Sequence, residues 1–128
     1  MRLANGKWVT PDMVLGKSIP GAKVIYIPDT DFDESLVQVC CNADCIVSEA
    51  VFLDRDRELA RRHKHLTAME AAEIAKCVRA RRLIINHISP RYDKNEILAE
   101  ACNVFTQTII PQDLETVEIL RKSPEKLE

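Results

Sequence analysis

Short apolar runs rich in β-branched residues alternate with longer segments of helical spacing, and this alternation constrains the fold more than any other feature. The apolar runs are predicted to form buried strands at 23–27, 45–47 and 83–85. The intervening and following segments are predicted to form helices over 33–41, from Thr67 onward, and over 94–105. Strands that alternate with helices predict an α/β architecture in which helices cover a sheet.

The start of the second helix carries the most specific local signal. Thr67 with Glu70 three residues later has the pattern of a capping box, so we expect the helix to begin there. The segment before it, 53–64, is dense in charge and is predicted to be an exposed helix or loop. Two further short strands are predicted at 108–110 and 116–119, which would close the pattern.

The length of 128 residues is enough to bury a usable core in one domain. We therefore expect residues 1–128 to form a single domain. Pro and Gly residues predict an irregular lead-in over 1–22, interrupted by a short edge strand at 8–10, and a frayed polar tail over 122–128.

Charge and composition exclude several classes of protein. The formal net charge of −2 gives no global basic signal for nucleic acid, although a local patch remains open. No window approaches the roughly 20 apolar residues of a membrane helix, and the first residues lack a signal-peptide core, so an intracellular, cytoplasmic location without a membrane partner is the default expectation. The five cysteines show no C-x-x-C spacing and are expected to be buried free thiols of a reducing compartment.

Polar side chains follow three of the apolar runs directly. Asp29, Glu49 and His87 each come where a predicted strand ends, so we expect them on one rim of the sheet. Carboxylates with an imidazole suit a divalent metal such as zinc. Each residue also has a plainer interpretation. Asp29 suits a turn or helix cap, His87 a hydrogen-bonded structural role and Glu49 a position facing water, and the residues alone leave both interpretations open.

Several motifs in the right order resemble the C-terminal half of ribonuclease Z, the tRNA 3′-endonuclease of the metallo-β-lactamase fold. The resemblance covers roughly residues 12–120. The motifs are Pro-Asp-Thr at 28–30, Ser-Glu-Ala-Val-Phe at 48–52, His-Leu-Thr-Ala at 65–68, Glu-Ala-Ala-Glu-Ile-Ala-Lys at 70–76 and Asn-His-Ile-Ser-Pro-Arg-Tyr at 86–92. The fold that this resemblance implies is half of an αββα sandwich.

The resemblance implies a zinc-dependent endoribonuclease, a hydrolase of tRNA processing that cuts pre-tRNA on the 3′ side. Asp29 takes the place of a carboxylate that bridges two zinc ions, and His87 the place of a ligand to one of them. Glu49 and His65 take the place of a catalytic pair that delivers a proton to the leaving 3′ oxygen. The pair is expected beside the metals rather than among their ligands.

The same resemblance implies a substrate-binding segment after His87. Ser89, Arg91 and Tyr92 take the place of residues near the scissile phosphate, where an arginine can hold two phosphate oxygens at once. A basic stretch before the second helix either contacts the tRNA backbone or is a solvated helix face. Its members are Arg55, Arg57, Arg61, Arg62 and Lys64.

The family holds its metals mainly through a His-x-His-x-Asp-His motif, and this chain does not contain it. The three histidines are His63, His65 and His87, so the resemblance leaves Asp29 and His87 as direct ligands of an incomplete zinc site. We expect the isolated chain to bind zinc weakly, to be inactive, and to need an N-terminal half or a second copy as partner. The alternative is a catalytically inactive half that acts as a binding or dimerisation module.

Overall fold

The computed structural model describes residues 1–16 and 18–120, and a parallel sheet with its helices organises them. The tail predicted at 122–128 lies outside these residues. In chain order the elements are α1 (Pro11–Val14), β1 (Val24–Ile27), α2 (Ser35–Val39), β2 (Cys45–Glu49), a 3₁₀ turn (Asp54–Asp56), α3 (Arg57–His63), α4 (Ala68–Cys77), β3 (Arg82–Asn86), α5 (Lys94–Val104) and β4 (Thr108–Ile109).

The four strands lie in the order β1-β2-β3-β4, and every neighbouring pair is parallel. The predicted α/β class is therefore confirmed. Parallel neighbours need a crossover between them, and here each crossover contains at least one helix. Because all strands point the same way, their carboxyl ends share one edge of the sheet, and the segments that follow them meet there.

The core lies between the sheet and α4. Ile46 of β2 and Leu83 of β3 are fully buried, as is Ile74 of α4. Four alanines on α4 are also fully buried, and small side chains let the helix approach the sheet closely: Ala68, Ala71, Ala72 and Ala75. The predicted capping box is confirmed, since Thr67 Oγ1 accepts from the Glu70 N–H at 3.2 Å and Glu70 Oε2 accepts from the Thr67 N–H at 3.0 Å.

Both ends of the described chain differ from the expectations. The strand predicted at 116–119 is wrong, because these residues have no regular structure and Thr116 and Glu118 are exposed. The sheet ends at β4, which pairs with β3 through two residues and is soon followed by Pro111, which cannot donate to a ladder. Trp8 forms an isolated antiparallel bridge with Arg2 rather than a strand.

Three of the five cysteines are not buried as expected, and Cys102 among them is half-buried. Cys40 and Cys45 are inside, where burial raises the pKa of each thiol. Cys41 follows the end of α2 and is exposed, and Cys77, the last residue of α4, is exposed as well. The apolar character of a free cysteine therefore did not suffice to predict which of the thiols are buried.

Glu100 of α5 fastens the segment after β2 to the start of α4. Its Oε1 atom accepts from the N–H of Asp54 at 2.9 Å and of Met69 at 3.3 Å. Burial disfavours the charged carboxylate and raises the pKa of Glu100, although the Asp54 N–H partly offsets this. A carboxyl whose folded pKa is raised holds its proton longer when folded than when unfolded, so its contribution to stability falls as pH rises from its ordinary pKa through the folded pKa.

The Glu100→Gln variant should therefore be more stable than the wild type at pH 7, because the amide Oε1 still accepts both N–H groups without a buried charge. The advantage should shrink as pH falls through the raised pKa towards the ordinary glutamate value of about 4.3. Urea unfolding of both proteins between pH 4 and pH 8 measures it, with exposed Glu73→Gln on α4 as the matched charge control. A stability difference that does not vary with pH would contradict the prediction.

Candidate active site

The carboxyl edge of the sheet brings the predicted rim residues together. Asp29 comes two residues after the end of β1, Glu49 is the last residue of β2, and His87 directly follows β3. The β2–β3 register places Glu49 opposite Asn86, next to His87. The parallel strands thus place three polar side chains from distant parts of the sequence at one edge.

His65 reaches the same place from a connection between two helices. Lys64 ends α3 in the left-handed conformation at φ 58°, and the His65 N–H donates to the Ala60 oxygen at 3.0 Å, which is a Schellman-type helix end. Thr67 begins α4 only two residues later. The short segment that carries His65 is therefore fixed by a helix end on one side and a capping box on the other.

Glu49 and His65 form a direct pair. His65 Nδ1 lies 3.1 Å from each carboxylate oxygen of Glu49. The Glu49 side chain is 1% exposed and that of His65 is 19% exposed. Glu49 Oε1 also accepts from the Thr30 N–H at 2.8 Å. A buried carboxylate in this position fixes the imidazole ring and leaves Nε2 as the nitrogen for other chemistry.

Asp29 and His87 form the exposed side of the site. Asp29 Oδ1 lies 2.7 Å from His87 Nδ1, and their side chains are 63% and 50% exposed. His87 adopts a left-handed backbone conformation at φ 45°, which is strained for a residue with a side chain and is typical of functional positions. The rings of His65 and His87 meet edge to face with centroids 5.4 Å apart.

The donor atoms at this edge fit a metal such as zinc. One ligand atom from each of Asp29, His65 and His87 lies within 4.8 Å of the others. Carboxylate oxygen and imidazole nitrogen are among the ligands that zinc prefers, and three protein ligands are usual at a catalytic zinc. His65 belongs to this group by its position, although the resemblance to ribonuclease Z implies that it lies beside the metals as a proton donor.

The predicted phosphate segment forms a turn beside the site. The Ser89 N–H donates to the Val51 oxygen at 3.2 Å, and Ser89 Oγ accepts from the Arg91 N–H at 3.3 Å. Arg91 is exposed. Tyr92 is 7% exposed, and its hydroxyl donates to Asp56 Oδ2 at 2.6 Å. The tyrosine thus fastens the turn to the 3₁₀ segment, and burial raises its pKa.

Ion pairs account for three of the five basic residues before α4. Arg55 pairs with Glu96 at 3.4 Å and Arg57 with Asp54 at 2.6 Å, while Arg61 pairs with Asp31 at 3.0 Å and with Glu70. These three guanidinium groups are held by carboxylates of the same chain. The plainer of the two interpretations, a charged helix face with local partners, therefore describes them.

Phe52 is a site residue that the sequence did not single out. Its ring centroid lies 6.2 Å from that of His63, 6.1 Å from that of His65 and 6.4 Å from that of Tyr92. Its backbone is hydrogen-bonded to the segment around Thr67, with the Ala68 N–H donating to the Phe52 oxygen at 2.9 Å. The one available signal in the sequence was that Phe52 lies three residues after Glu49. The residues that its ring contacts are distant in sequence, so the contacts themselves could not be predicted.

Comparison with known proteins agrees with this architecture. Residues 6–88 match the family model described as the beta-lactamase superfamily domain. The chain belongs to this superfamily. The metallo-beta-lactamase fold protein YhfI from Bacillus subtilis superposes with a TM-score of 0.62 and 27% identity, over 66% of this chain and 35% of that one. The predicted metallo-β-lactamase fold is thereby confirmed.

The resemblance to ribonuclease Z is also confirmed. Ribonuclease Z of Bradyrhizobium diazoefficiens is 40% identical over 117 residues, which cover 91% of this chain and 39% of that protein. Ribonuclease Z of Archaeoglobus fulgidus is also 40% identical over 117 residues, covering 90% and 38%. The short form of human tRNase Z superposes with a TM-score of 0.60 and 28% identity, over 77% of this chain and 34% of that one.

This chain spans about two fifths of the length of these curated relatives. Among the residues that the structure describes, no helix is long and apolar enough to cross a membrane.

Proposed function

We propose that this chain supplies the bridging carboxylate, a zinc-binding imidazole and the proton-transfer pair of an endonuclease that cuts pre-tRNA on the 3′ side. The observation that carries the proposal is the gathering of Asp29, His65 and His87 donor atoms within 4.8 Å, with buried Glu49 behind His65. The sequence identity to ribonuclease Z supports the enzyme over the alternative of an inactive binding module.

Asp29 and His87 are the residues that would hold zinc. A zinc ion bound there would act as a Lewis acid for a phosphate oxygen and lower the pKa of a water molecule. Asp29 suits the bridging position because a carboxylate has two oxygens to share. Its 63% exposure would leave space for the metal ions to take further ligands from outside the described residues. Without further ligands we expect weak zinc binding and an inactive isolated chain.

Glu49 and His65 would transfer the proton. With both ring nitrogens protonated, His65 would donate Nδ1–H to the buried Glu49 carboxylate and present Nε2–H to the leaving 3′ oxygen. Water would attack phosphorus and lose one proton to solvent, the bond from phosphorus to the 3′ oxygen would break, and the Nε2 proton would go to that oxygen. The imidazole would then regain a proton from solvent. The 1% exposure of Glu49 keeps its charge close to the ring and unscreened by water.

Ser89 and Arg91 would bind the scissile phosphate. Arg91 is exposed, and the turn that carries it begins two residues after His87. Tyr92 would contribute to the same phosphate contact indirectly. Its hydroxyl donates a hydrogen bond to Asp56, which holds the turn that carries Ser89 and Arg91 in place. Pre-tRNA and the remainder of the metallo-β-lactamase domain, from an N-terminal half or a second copy, are the partners that this function implies.

A graft into a relative tests the function. The matching 117 residues of Archaeoglobus fulgidus ribonuclease Z are replaced by those of this chain, and 3′ cleavage of pre-tRNA is measured beside zinc content by elemental analysis. We expect the chimera to bind zinc and cleave, and the purified chain alone to hold far less zinc and be inactive. A folded, zinc-loaded chimera that does not cleave would overturn the proposal.

A further inference from the structure

We propose that Arg61 is a positioning residue, which holds the loop of Asp29 at the distance from His65 and His87 that the site requires. Its guanidinium joins this loop, residues 29–32, to the buried carboxylate of Glu70. The loop position matters through the metal-ligand role of Asp29, so this part of the inference rests on the proposed function.

In the described structure the loop is attached by the packing of Phe32 against the core at its far end, and by few hydrogen bonds near Asp29. The Asp29 side chain is 63% exposed, and its pair with His87 lies at the open side of the site. One backbone link ties the loop to the sheet, from the Thr30 N–H to Glu49 Oε1 at 2.8 Å. A second link on the other side of Thr30 would fix both the place and the orientation of the loop.

Arg61 provides that second link. Its Nη1 atom donates to Asp31 Oδ1 at 3.0 Å, and the same oxygen accepts from the Phe32 N–H at 2.8 Å. The guanidinium carbon lies 5.6 Å from the centroid of the Phe32 ring. A planar guanidinium can bind two carboxylates while covering a ring, and a lysine ammonium lacks this fork geometry.

The other end of the link is rigid. Arg61 donates to both oxygens of Glu70, through Nη2 to Oε1 and through Nη1 to Oε2 at 3.4 Å. The Glu70 side chain is 3% exposed, and a carboxylate so buried needs a charged partner. The Thr67 N–H donates to the same carboxylate, which keeps Glu70 at the start of α4.

One network therefore fixes the two sides of the site together. Thr67 lies two residues after His65, and Asp31 lies two residues after Asp29. Glu70 and Arg61 connect Thr67 to Asp31 through the hydrogen bonds described above. This network adds a second connection between the segments of Asp29 and His65 to the one that Glu49 makes through the Thr30 N–H and His65 Nδ1, and it uses side chains outside the proton-transfer pair.

Amide hydrogen exchange on the full, metal-free chain tests the link to the loop. We expect Arg61→Lys and Asp31→Ala each to speed exchange at Thr30 by about two- to fivefold, since the Arg61–Asp31 pair is partly exposed and its contribution is reduced by solvent screening. Exchange at Ile46 in the core should stay as in the wild type. Asp31→Ala leaves the Arg61–Glu70 pair in place but also removes the acceptor of the Phe32 N–H, whereas Arg61→Lys keeps that acceptor, so faster exchange in both variants is the expected result.

Zinc titration of the same variants, followed by the backbone NMR shifts of residues 29 and 87, tests the consequence for the site. Affinity should fall by about 10- to 100-fold, as it does when residues that orient a metal ligand are changed. Arg62→Ala, the exposed neighbour on α3, is the matched control and should match the wild type in both measurements.

Each arm has an outcome that separates the two proposals. The role of Arg61 would be overturned if Arg61→Lys and Asp31→Ala both matched the Arg62→Ala control in exchange at Thr30 and in zinc affinity. A folded wild-type chimera with Archaeoglobus fulgidus ribonuclease Z that binds no zinc would instead count against the proposed function, while faster exchange at Thr30 in both variants would still establish Arg61 as the residue that holds the loop.

Discussion

The Asp29→Ala chimera should lose pre-tRNA cleavage by at least about 1,000-fold and lose bound zinc as well. A bridging carboxylate contributes several kcal/mol through the metal site, and each ~1.4 kcal/mol corresponds to a factor of ten in rate. The loss should not reflect unfolding, because the side chain is 63% exposed and lies outside the hydrophobic core. Zinc per chain, single-turnover cleavage and the thermal midpoint are measured on the same sample.

Asp33→Ala is the matched control, since it removes the same charge four residues later from a fully exposed position. Hydrogen bonds from the Ser35 hydroxyl and from the Ser35 N–H, the latter at 2.7 Å, lower the pKa of this carboxylate and serve the start of α2 rather than the site. We expect this control to keep its zinc and its cleavage rate. Turnover that survives Asp29→Ala unchanged would exclude the bridging role.

The rim of the sheet was the most predictable part of the site. A short apolar run that ends in a polar residue fixes both the strand and the edge at which that residue emerges, which is why Asp29, Glu49 and His87 could be placed together. The capping box at Thr67 was equally local, because its two hydrogen bonds involve residues three apart. Predictions of this kind need no knowledge of tertiary contacts.

Features that depend on tertiary contacts could not be predicted from the sequence in this way. His65 reaches the site because Lys64 turns left-handed, and a lysine gives no signal for that conformation. The link from Arg61 to Asp31 joins residues 30 apart. The strand expected at 116–119 did not form because a β-rich pattern becomes a strand only when tertiary folding places it beside a partner, and in the described part of the chain this segment pairs with none of the four strands.

The His65→Ala chimera should keep its zinc and lose about 10²- to 10⁴-fold in the rate of the chemical step, which is the usual worth of general acid–base catalysis. The pair with Glu49 at 3.1 Å uses Nδ1 and leaves Nε2 for the proton transfer that we propose. The proximity of His65 to Asp29 and His87 suggests the competing role of a third zinc ligand. In that case His65→Ala would lose zinc as well as activity. Zinc content measured beside single-turnover rates separates the two roles.

The leaving group offers the sharper test of His65. The leaving group of a p-nitrophenyl phosphodiester is p-nitrophenolate, a stable anion that needs no proton. His65→Ala should therefore slow hydrolysis of this substrate far less than it slows pre-tRNA cleavage. His63→Ala removes the neighbouring imidazole, which also lies against Phe52 at 6.2 Å, and should affect neither substrate. Equal losses on both substrates together with lost zinc would make His65 a ligand. Glu49 would then be the residue that orients this ligand through Nδ1.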